Sequence, residues 1–228
     1  MNILITGTSK GIGKAIAQYY LSKGHNVIGI SRSARSIDDD KYTHISYDIT
    51  NDLNDLIYKI KNIYLTIDVL INSAGIASMN HFLLTSSKKN SEIINLNYNA
   101  VFNLTREIVR LMRKSKQGRI INFSTIAVAL SLEGEASYSA SKAAVESLTK
   151  SLSKELAFYG ITVNCIAPSP VETDLIKNIP KDKINKILEQ QAIKKFTKTD
   201  DIINILDFYI SAKSNMITGQ IIRLGGIN

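Results

Sequence analysis

The sequence has few of the residues on which several kinds of functional site depend. Cys165 is the single cysteine among 228 residues, which excludes an intrachain disulfide and indicates a reducing compartment. Its apolar neighbours, in the run VNCIA, predict a buried strand thiol rather than a nucleophile. The three histidines are scattered along the chain, so the sequence has no cluster of metal ligands and predicts no metal site.

Long hydrophobic runs are also missing. No apolar stretch reaches the roughly 18 residues of a membrane span, so no membrane partner is expected. The first apolar segment begins at Asn2, which leaves no room for a signal peptide and predicts a cytoplasmic location. The net charge of +8 raises nucleic acid as a partner, but no motif for reading nucleic acid accompanies it, and none is predicted.

What the sequence does have is a regular alternation of short apolar runs and amphipathic segments, typical of a parallel sheet with helices on both faces. The predicted strands span residues 2–6, 25–31, 43–47, 67–72, 119–123, 161–167 and 220–224. The predicted helices span residues 11–23, 52–63, 86–114, 138–159 and 200–211. We therefore predict a single α/β domain over 1–228, with a Rossmann-type doubly wound, mostly parallel sheet of seven strands.

A glycine-rich segment, TGTSKGIG, links the first strand to the first helix. Glycines at this point let the backbone approach a pyrophosphate, and the helix N-terminus offers free N–H groups to it. The predicted contacts are Gly7, Ser9, Lys10, Gly11, Ile12 and Gly13. The alternative is a plain glycine turn, but a position after the first strand of an alternating chain favours nucleotide binding.

The end of the second strand indicates which nucleotide is bound. An acidic residue there would bind the ribose 2′-hydroxyl of NAD, but the strand ends Ile30-Ser31-Arg32-Ser33 without a carboxylate. Arg32 can bind a 2′-phosphate through its charged fork, and Lys10 is placed to reach the same phosphate, so we predict NADP(H). The alternative is two solvated surface cations.

A tyrosine and a lysine, Tyr138 and Lys142, lie four residues apart near the start of a predicted helix. That spacing places them on one face, one turn from each other. A cation one turn away favours phenolate and is expected to lower the tyrosine pKa from about 10. Such a tyrosine can exchange a proton with a carbonyl or alcohol oxygen. The motif alone is weak, since a tyrosine packed on a lysine stem would look the same.

Four stretches in this order and spacing resemble the short-chain dehydrogenase/reductase family over essentially the whole chain. They are the TGTSKGIG segment, the NSAG stretch at 72–75, Asn97 within a helix, and the Tyr138–Lys142 pair. Within the family, the chain is most similar to the 3-oxoacyl-acyl-carrier-protein reductases. The resemblance implies an NADPH-dependent oxidoreductase that reduces a ketone to a secondary alcohol. The alternative is a cofactor-binding sensor or scaffold whose chemistry has weakened.

The resemblance gives catalytic roles to Asn97, Thr125, Tyr138 and Lys142. Tyr138 donates the proton, Lys142 lowers its pKa and binds the nicotinamide ribose, and Asn97 fixes a water beside Lys142. The family has a serine thirteen positions before the tyrosine, where this chain has Thr125. We predict that the threonine hydroxyl donates the same hydrogen bond. The alternative is the adjacent Ser124 on a shifted loop.

The resemblance also extends the cofactor site to the ends of three other strands. The residues concerned are Asp48, Ile49, Asn72, Ala74, Gly75, Pro168, Val171 and Thr173. Asp48 would lie beside the adenine or, alternatively, cap the next helix, and Asn72 would steady the sheet edge. The chain departs from the family pattern at Ser73, usually asparagine, and at Ser169, usually glycine. A side chain at Ser169 is expected to stiffen or shift its loop.

Residues 171–199 are predicted to form a substrate lid. From 177 to 198 there are seven lysines against Asp182 and Glu189. A second basic group, comprising Arg106, Arg110, Arg113, Lys114, Lys116 and Arg119, precedes the fifth strand. These charges predict an anionic substrate, either a small molecule or one tethered to an acidic carrier, whereas the alternative is a solvated lysine-rich surface. By resemblance, a homotetramer is expected through the helices at 86–114 and 138–159.

Overall fold

The computed structural model describes residues 1–172 and 180–227, which contain a seven-stranded sheet flanked by helices. The strands are β1 (Asn2–Thr6), β2 (Asn26–Ser31), β3 (Tyr42–Ser46), β4 (Val69–Asn72), β5 (Gly118–Phe123), β6 (Ile161–Ala167) and β7 (Ile221–Arg223). The helices are α1 (Gly11–Ser22), α2 (Asn54–Ile63), α3 (Ser87–Ile94), α4 (Ala100–Met112), α5 (Ala127–Leu130), α6 (Ala136–Glu155), α7 (Lys181–Glu189) and α8 (Thr199–Ile210). The predicted α/β fold class is confirmed.

The strand order is β3-β2-β1-β4-β5-β6-β7, and every neighbouring pair is parallel. The chain therefore winds outward from β1 in one direction and then, starting at β4, in the other. Where β1 and β4 lie side by side, the loops that follow them leave toward opposite faces of the sheet. In doubly wound sheets a crevice forms at this point, outside the carboxyl ends of the strands.

Alternate residues of each central strand pack on opposite faces of the sheet. Leu4 belongs to a buried cluster with residues of α2 and α4, whereas Ile3 and Ile5 belong to another with residues of α1 and α8. This period of two follows from the pleat of a strand, and apolar side chains on both faces require helices on both faces. Cys165 on β6 is a fully buried free thiol, as predicted.

The predicted helix at 86–114 is two helices joined by a wide turn. α3 ends at Ile94, a single π turn spans Asn95–Asn99, and α4 begins at Ala100. A π turn inserts extra backbone into a helix and is frequent at functional sites. The structure also has the short helix α5 and the helix α7, which were not predicted. The helix predicted at 138–159 ends at Glu155, four residues early, and a single 3₁₀ turn follows it at Ala157–Tyr159. Other boundaries differ from the predictions by one or two residues, as fraying helix and strand ends do.

Among the described residues, no helix has both the length and the apolar character needed to cross a membrane.

Candidate active site

A cavity of about 600 Å³ opens at the carboxyl ends of the strands, where the loops after β1 and β4 meet. Most of the predicted site residues line it: Gly7, Ser9, Lys10, Gly11, Ile12, Gly13, Arg32, Asp48, Ile49, Ala74, Gly75, Thr125, Tyr138, Lys142, Pro168 and Val171. Asn72 and Asn97 are not among the lining residues, and Thr173 lies outside the described residues.

The loop between β1 and α1 forms one wall of the cavity and depends on its glycines. Gly7 has a φ of +81°, and its N–H donates to the Ile30 carbonyl at 2.7 Å. A Cβ atom on Gly13 would lie 2.5 Å from the Gly7 carbonyl oxygen, too close for any side chain. The N–H of Ala74 donates to Thr6 Oγ1 at 3.0 Å, which joins the loop after β4 to the end of β1. Bare backbone at the N-terminus of α1 therefore faces the cavity and fits a dinucleotide pyrophosphate.

Arg32 and Asp48 face each other in the part of the cavity that adjoins the ends of β2 and β3. Arg32 Nη1 and Asp48 Oδ2 lie 3.9 Å apart, and the Arg32 side chain is 71% exposed. Burial alone would raise the pKa of Asp48, but hydrogen bonds from Thr50 and the charge of Arg32 outweigh it and lower the pKa. Helix α2 begins only at Asn54, whose N–H donates to Asp52, so the interpretation of Asp48 as a helix cap is wrong.

Tyr138 and Lys142 lie one turn apart at the start of α6, and both line the cavity. Lys142 Nζ donates to the Phe123 carbonyl at 2.8 Å, and burial lowers the pKa of Lys142 to about 8. Burial, followed by the charge of Glu135, raises the pKa of Tyr138, while a hydrogen bond from Thr125 acts in the opposite direction. The expected lowering of the Tyr138 pKa is therefore wrong for this arrangement, because the net pKa is raised and the phenol stays protonated at neutral pH.

Asn97 lies in the π turn and holds the loop after β4 beside Lys142. Its Oδ1 accepts from the N–H of Ile76 at 2.9 Å, and its Nδ2 donates to the Ile76 carbonyl at 2.9 Å and to Ser141 Oγ at 3.0 Å. A Cβ atom on Gly75 would lie 3.2 Å from Asn97 Oδ1 and 3.5 Å from Lys142 Nζ. Asn97 thus adjoins Lys142 through Gly75, although it does not line the cavity itself.

Asn72 is buried behind the cavity, where it joins the sheet to its helices. Its Nδ2 donates to Thr105 Oγ1 on α4 at 3.1 Å and to Asn122 Oδ1 on β5 at 2.8 Å. Asn122 Nδ2 in turn donates to Thr149 Oγ1 on α6 at 2.9 Å. This chain of side chains fixes β4 and β5 against α4 and α6, which supports the expected steadying role and not a direct cofactor contact.

A family model described as short chain dehydrogenase matches residues 1–184. The chain belongs to the short-chain dehydrogenase/reductase family. It is 32% identical to the 3-oxoacyl-[acyl-carrier-protein] reductase FabG of Escherichia coli, over 98% of this chain and 95% of that protein. It is 35% identical to the FabG of Buchnera aphidicola, with the same coverage.

Solved structures of the family agree with the fold over nearly the whole chain. A 4-hydroxyisoleucine dehydrogenase complexed with NADH has a TM-score of 0.92 at 28% identity and covers 100% of this chain and 98% of its own. A short chain dehydrogenase from Leptospira borgpetersenii with bound NAD+ has a TM-score of 0.89 at 27% identity, with 99% and 91% covered. The protein is therefore an oxidoreductase of the short-chain dehydrogenase/reductase family that depends on a nicotinamide cofactor.

The two hydroxyls at the end of β5 have different partners in this family member. Ser124 is buried, and its Oγ donates to Glu146 Oε1 at 2.7 Å, while Glu146 Oε2 pairs with Arg223 at 2.9 Å. Thr125 is half-buried beside the cavity, where its Oγ1 accepts from the Ala127 N–H at 3.2 Å and its hydroxyl hydrogen-bonds Tyr138. This arrangement favours Thr125, because Ser124 is engaged in a buried network.

Ser169, where the family usually has glycine, also has a partner. Its Oγ lies 2.6 Å from Thr197 Oγ1, and both side chains are buried. The N–H of Thr197 donates to the Pro170 carbonyl at 2.9 Å, and Val171 and Thr197 form an isolated parallel bridge. The Ser169 side chain therefore joins the residues just before the 171–199 segment to Thr197, just before α8. This contact agrees with the expectation that a side chain at position 169 stiffens its loop.

Glu135 is a cavity residue that the sequence analysis missed. It immediately precedes α6, is only 7% exposed, and lines the cavity three residues before Tyr138. The spacing was a usable signal, because a residue three before Tyr138 shares its helix face. Ile184 and Ile187 of α7 were missed as well, although their own spacing of three predicts one apolar face, and both line the cavity.

The basic segment presents its charge to solvent. Lys177 and the side chain of Lys181 lie outside the described residues, and the other lysines are exposed and do not line the cavity: Lys183, Lys186, Lys194, Lys195 and Lys198. The second basic group surrounds the start of β5, at the amino-terminal edge of the sheet and away from the cavity. Within the described residues, these charges can act on a substrate only from a distance or through a larger partner.

Proposed function

We propose that the protein reduces a ketone to a secondary alcohol with NADPH. The observation that supports this proposal is the convergence of three features on one cavity. These are the glycine loop of α1, the cation Arg32, and the Thr125–Tyr138–Lys142 group. A dinucleotide lying along the cavity would place its phosphates at the first two and its nicotinamide at the third.

The catalytic roles follow from the protonation states. NADPH, when bound, supplies the hydride. Tyr138 donates a proton to the carbonyl oxygen, because a phenol with an ordinary pKa of about 10 or above is protonated at neutral pH. Thr125 donates a hydrogen bond to the same oxygen and so aligns the carbonyl with the phenol. Lys142, with a pKa of about 8, remains largely protonated at pH 7 and stabilises the phenolate that the transfer leaves.

NADPH rather than NADH is proposed because of the charges at the end of β2. The cavity there is lined by Lys10, Arg32 and Ser33, and the only carboxylate nearby among the described lining residues is Asp48, which already faces Arg32. A 2′-phosphate would meet the guanidinium in a charge-assisted hydrogen bond. Asp48, on the loop after β3, would lie beside the adenine.

The proposed function is tested with a panel of activated ketones and both cofactors. The wild type should oxidise NADPH with at least one ketone, and Tyr138→Phe should lose about 10²–10⁴-fold in kcat, the usual contribution of a positioned general acid. NADPH binding, followed by its fluorescence, should persist in the variant because the phenol hydroxyl is not needed for the fold. A Tyr138→Phe variant with wild-type kcat would overturn the assignment. NADPH binding without turnover of any ketone would favour the sensor or scaffold alternative.

A carrier-tethered 3-oxoacyl substrate is the first candidate to test. Support comes from the FabG relatives, named 3-oxoacyl-[acyl-carrier-protein] reductases, and from the exposed lysines of α7 and the residues after it. An acidic carrier would contact those lysines from outside while its acyl chain enters the cavity. A role for the second basic group, which includes Lys116, in binding the carrier stays a prediction. This group lies at the edge of the sheet opposite the cavity.

We also propose a homotetramer, built through the exposed faces of α4 and α6. Phe102 on α4 is 41% exposed and stacks near Tyr98, so α4 presents an aromatic surface to solvent. Light scattering of the purified protein distinguishes a particle of four chains from the 25.2 kDa monomer.

A further inference from the structure

Glu135 is a buried carboxylate in the substrate end of the cavity. The backbone carbonyl of Glu135 accepts a hydrogen bond from the Ser139 N–H at 2.7 Å, which is the first hydrogen bond of α6. The Glu135 side chain lines the cavity. Within residues 1–172 and 180–227, its carboxylate has no hydrogen-bond or ion-pair partner. Buried carboxylates are normally paired or hydrogen-bonded, so this one is an exception that calls for an explanation.

No charged group in the described part of the chain compensates Glu135. The other ionisable side chains that line the cavity in the described part of the chain are Lys10, Arg32, Tyr47, Asp48, Tyr138 and Lys142. Burial raises the pKa of Glu135 to about 7, and no cation is among the causes, so even Lys142 does not offset the burial. The Glu135 carboxylate in turn raises the pKa of Tyr138. Its charge therefore acts electrostatically on the proposed proton donor.

The surroundings of Glu135 restrict what can approach it. Leu132, Ile184 and Ile187 line the same cavity with apolar side chains, whereas Tyr138 and Thr125 hold the proposed position of the carbonyl oxygen. With a pKa of about 7, the Glu135 carboxyl is ionised above neutral pH, and in that form it only accepts hydrogen bonds. Its natural counterpart in this cavity is a donor on the substrate, close to the reacting carbon because Glu135 is one helical turn from Tyr138.

We propose that Glu135 determines substrate specificity by accepting a hydrogen bond from a hydroxyl or ammonium group of the substrate, on the first or second carbon from the reacting carbonyl. The proposal rests on the reductase function above and narrows its substrate to hydroxy- or aminoketones, so a carrier-tethered 3-oxoacyl chain fits it only with such a donor near its ketone. A carboxylate at the same position is repelled, so any negative charge on the substrate must lie far from the carbonyl, as it would on a carrier.

Matched ketones and two variants test this assignment. The donors are hydroxyacetone, 4-hydroxy-2-butanone and aminoacetone, 2-butanone is the apolar reference, and pyruvate carries the carboxylate. The wild type should prefer at least one donor ketone over 2-butanone by about tenfold or more in kcat/KM, as a hydrogen bond to a buried charge implies. Glu135→Leu should abolish that preference yet still reduce 2-butanone. Comparison of hydroxyacetone with aminoacetone then separates hydroxyl from ammonium recognition.

Glu133→Gln is the matched control, because Glu133 is exposed and does not line the cavity. It should keep the wild-type preference, and Glu135→Gln should weaken it. Binding of 1,2-propanediol and 2-butanol, measured by saturation-transfer NMR in the presence of NADP+, makes the same comparison without turnover. A wild type that binds the diol preferentially but reduces no ketone would contradict the reductase function alone. The role of Glu135 would be overturned if the wild type and Glu135→Leu both showed equal kcat/KM for donor and apolar ketones and equal binding of the diol and 2-butanol.

Discussion

Ser124 and Thr125 are adjacent, yet the structure predicts that their alanine variants fail in different ways. Ser124→Ala should lose stability. Its hydroxyl donates to Glu146 Oε1 at 2.7 Å in the protein interior, and removal leaves a buried carboxylate oxygen without that donor. Such a bond contributes about 1.5–3 kcal/mol. At this chain length 1 kcal/mol shifts Tm by about 2–4 °C, so Tm should fall by roughly 3–12 °C.

Thr125→Ala should instead lose turnover. Thr125 is only half-buried, and the contacts it gives up within the fold are the 3.2 Å bond from the Ala127 N–H and its hydrogen bond with Tyr138, so the stability loss should stay near about 1 kcal/mol. Removal of one donor to a reacting oxygen typically lowers kcat by about 10²–10³-fold. Thr125→Ser keeps the hydroxyl and should retain activity.

Thermal unfolding and kcat at saturating NADPH, measured on the same preparations, separate the two effects. Thr125→Ser controls for the loss of the methyl group. Ser124→Ala could instead lose a hundredfold in kcat at an unchanged Tm while Thr125→Ala remains active. In that case the hydroxyl that hydrogen-bonds the substrate carbonyl belongs to Ser124, and its assignment to Thr125 is incorrect.

Three further outcomes are expected. Arg32→Ala should lower kcat/KM for NADPH by about tenfold, the lower end for a charged hydrogen bond because Arg32 is largely exposed, and should spare NADH. Arg35→Ala, in the same loop but outside the cavity lining, is the control, and equal use of both cofactors by the wild type would refute the preference. Glu135 takes up a proton on folding between its ordinary pKa of 4.5 and its folded pKa of about 7, so its contribution to stability is lost as pH rises through that window. Glu135→Gln should therefore be more stable than wild type above pH 7, by up to about 3 kcal/mol, and not at pH 4.5; a pH-independent difference in Tm would contradict this. For a carrier-tethered substrate, kcat/KM should fall as salt rises, and reversing Lys194 and Lys195 should blunt that fall, whereas a salt-independent rate would exclude steering by this segment.

The fold was predictable because its signals are local. Each strand is a short apolar run, and the glycine at position 13 is required by atoms only six residues away along the chain. The convergence of the glycine loop with Tyr138 and Lys142 was predictable for the same reason, since parallel strands bring the loops at their carboxyl ends to one edge.

The remaining features depend on contacts between residues far apart in the sequence. Ser124 is engaged by Glu146, 22 residues later, and Ser169 by Thr197, 28 residues later. No periodicity in the sequence signals such pairs. Glu135 was missed for another reason, since a charged residue at a helix start is usually solvated there, and only the closed cavity makes it a buried carboxylate.

The pairing of Ser169 with Thr197 makes the intervening stretch a closed insertion. Val171 and Thr197 meet as neighbours, so the two ends of this stretch lie side by side on the sheet framework. The sheet framework holds the two ends of this stretch together. The entropic cost of closing such a loop grows only slowly with the number of residues in it. Evolution can therefore lengthen, shorten or replace this insertion while β1, α1 and the Tyr138 helix stay as they are. New substrates can then be acquired by exchanging one contiguous stretch of sequence, without a change in the cofactor half of the enzyme.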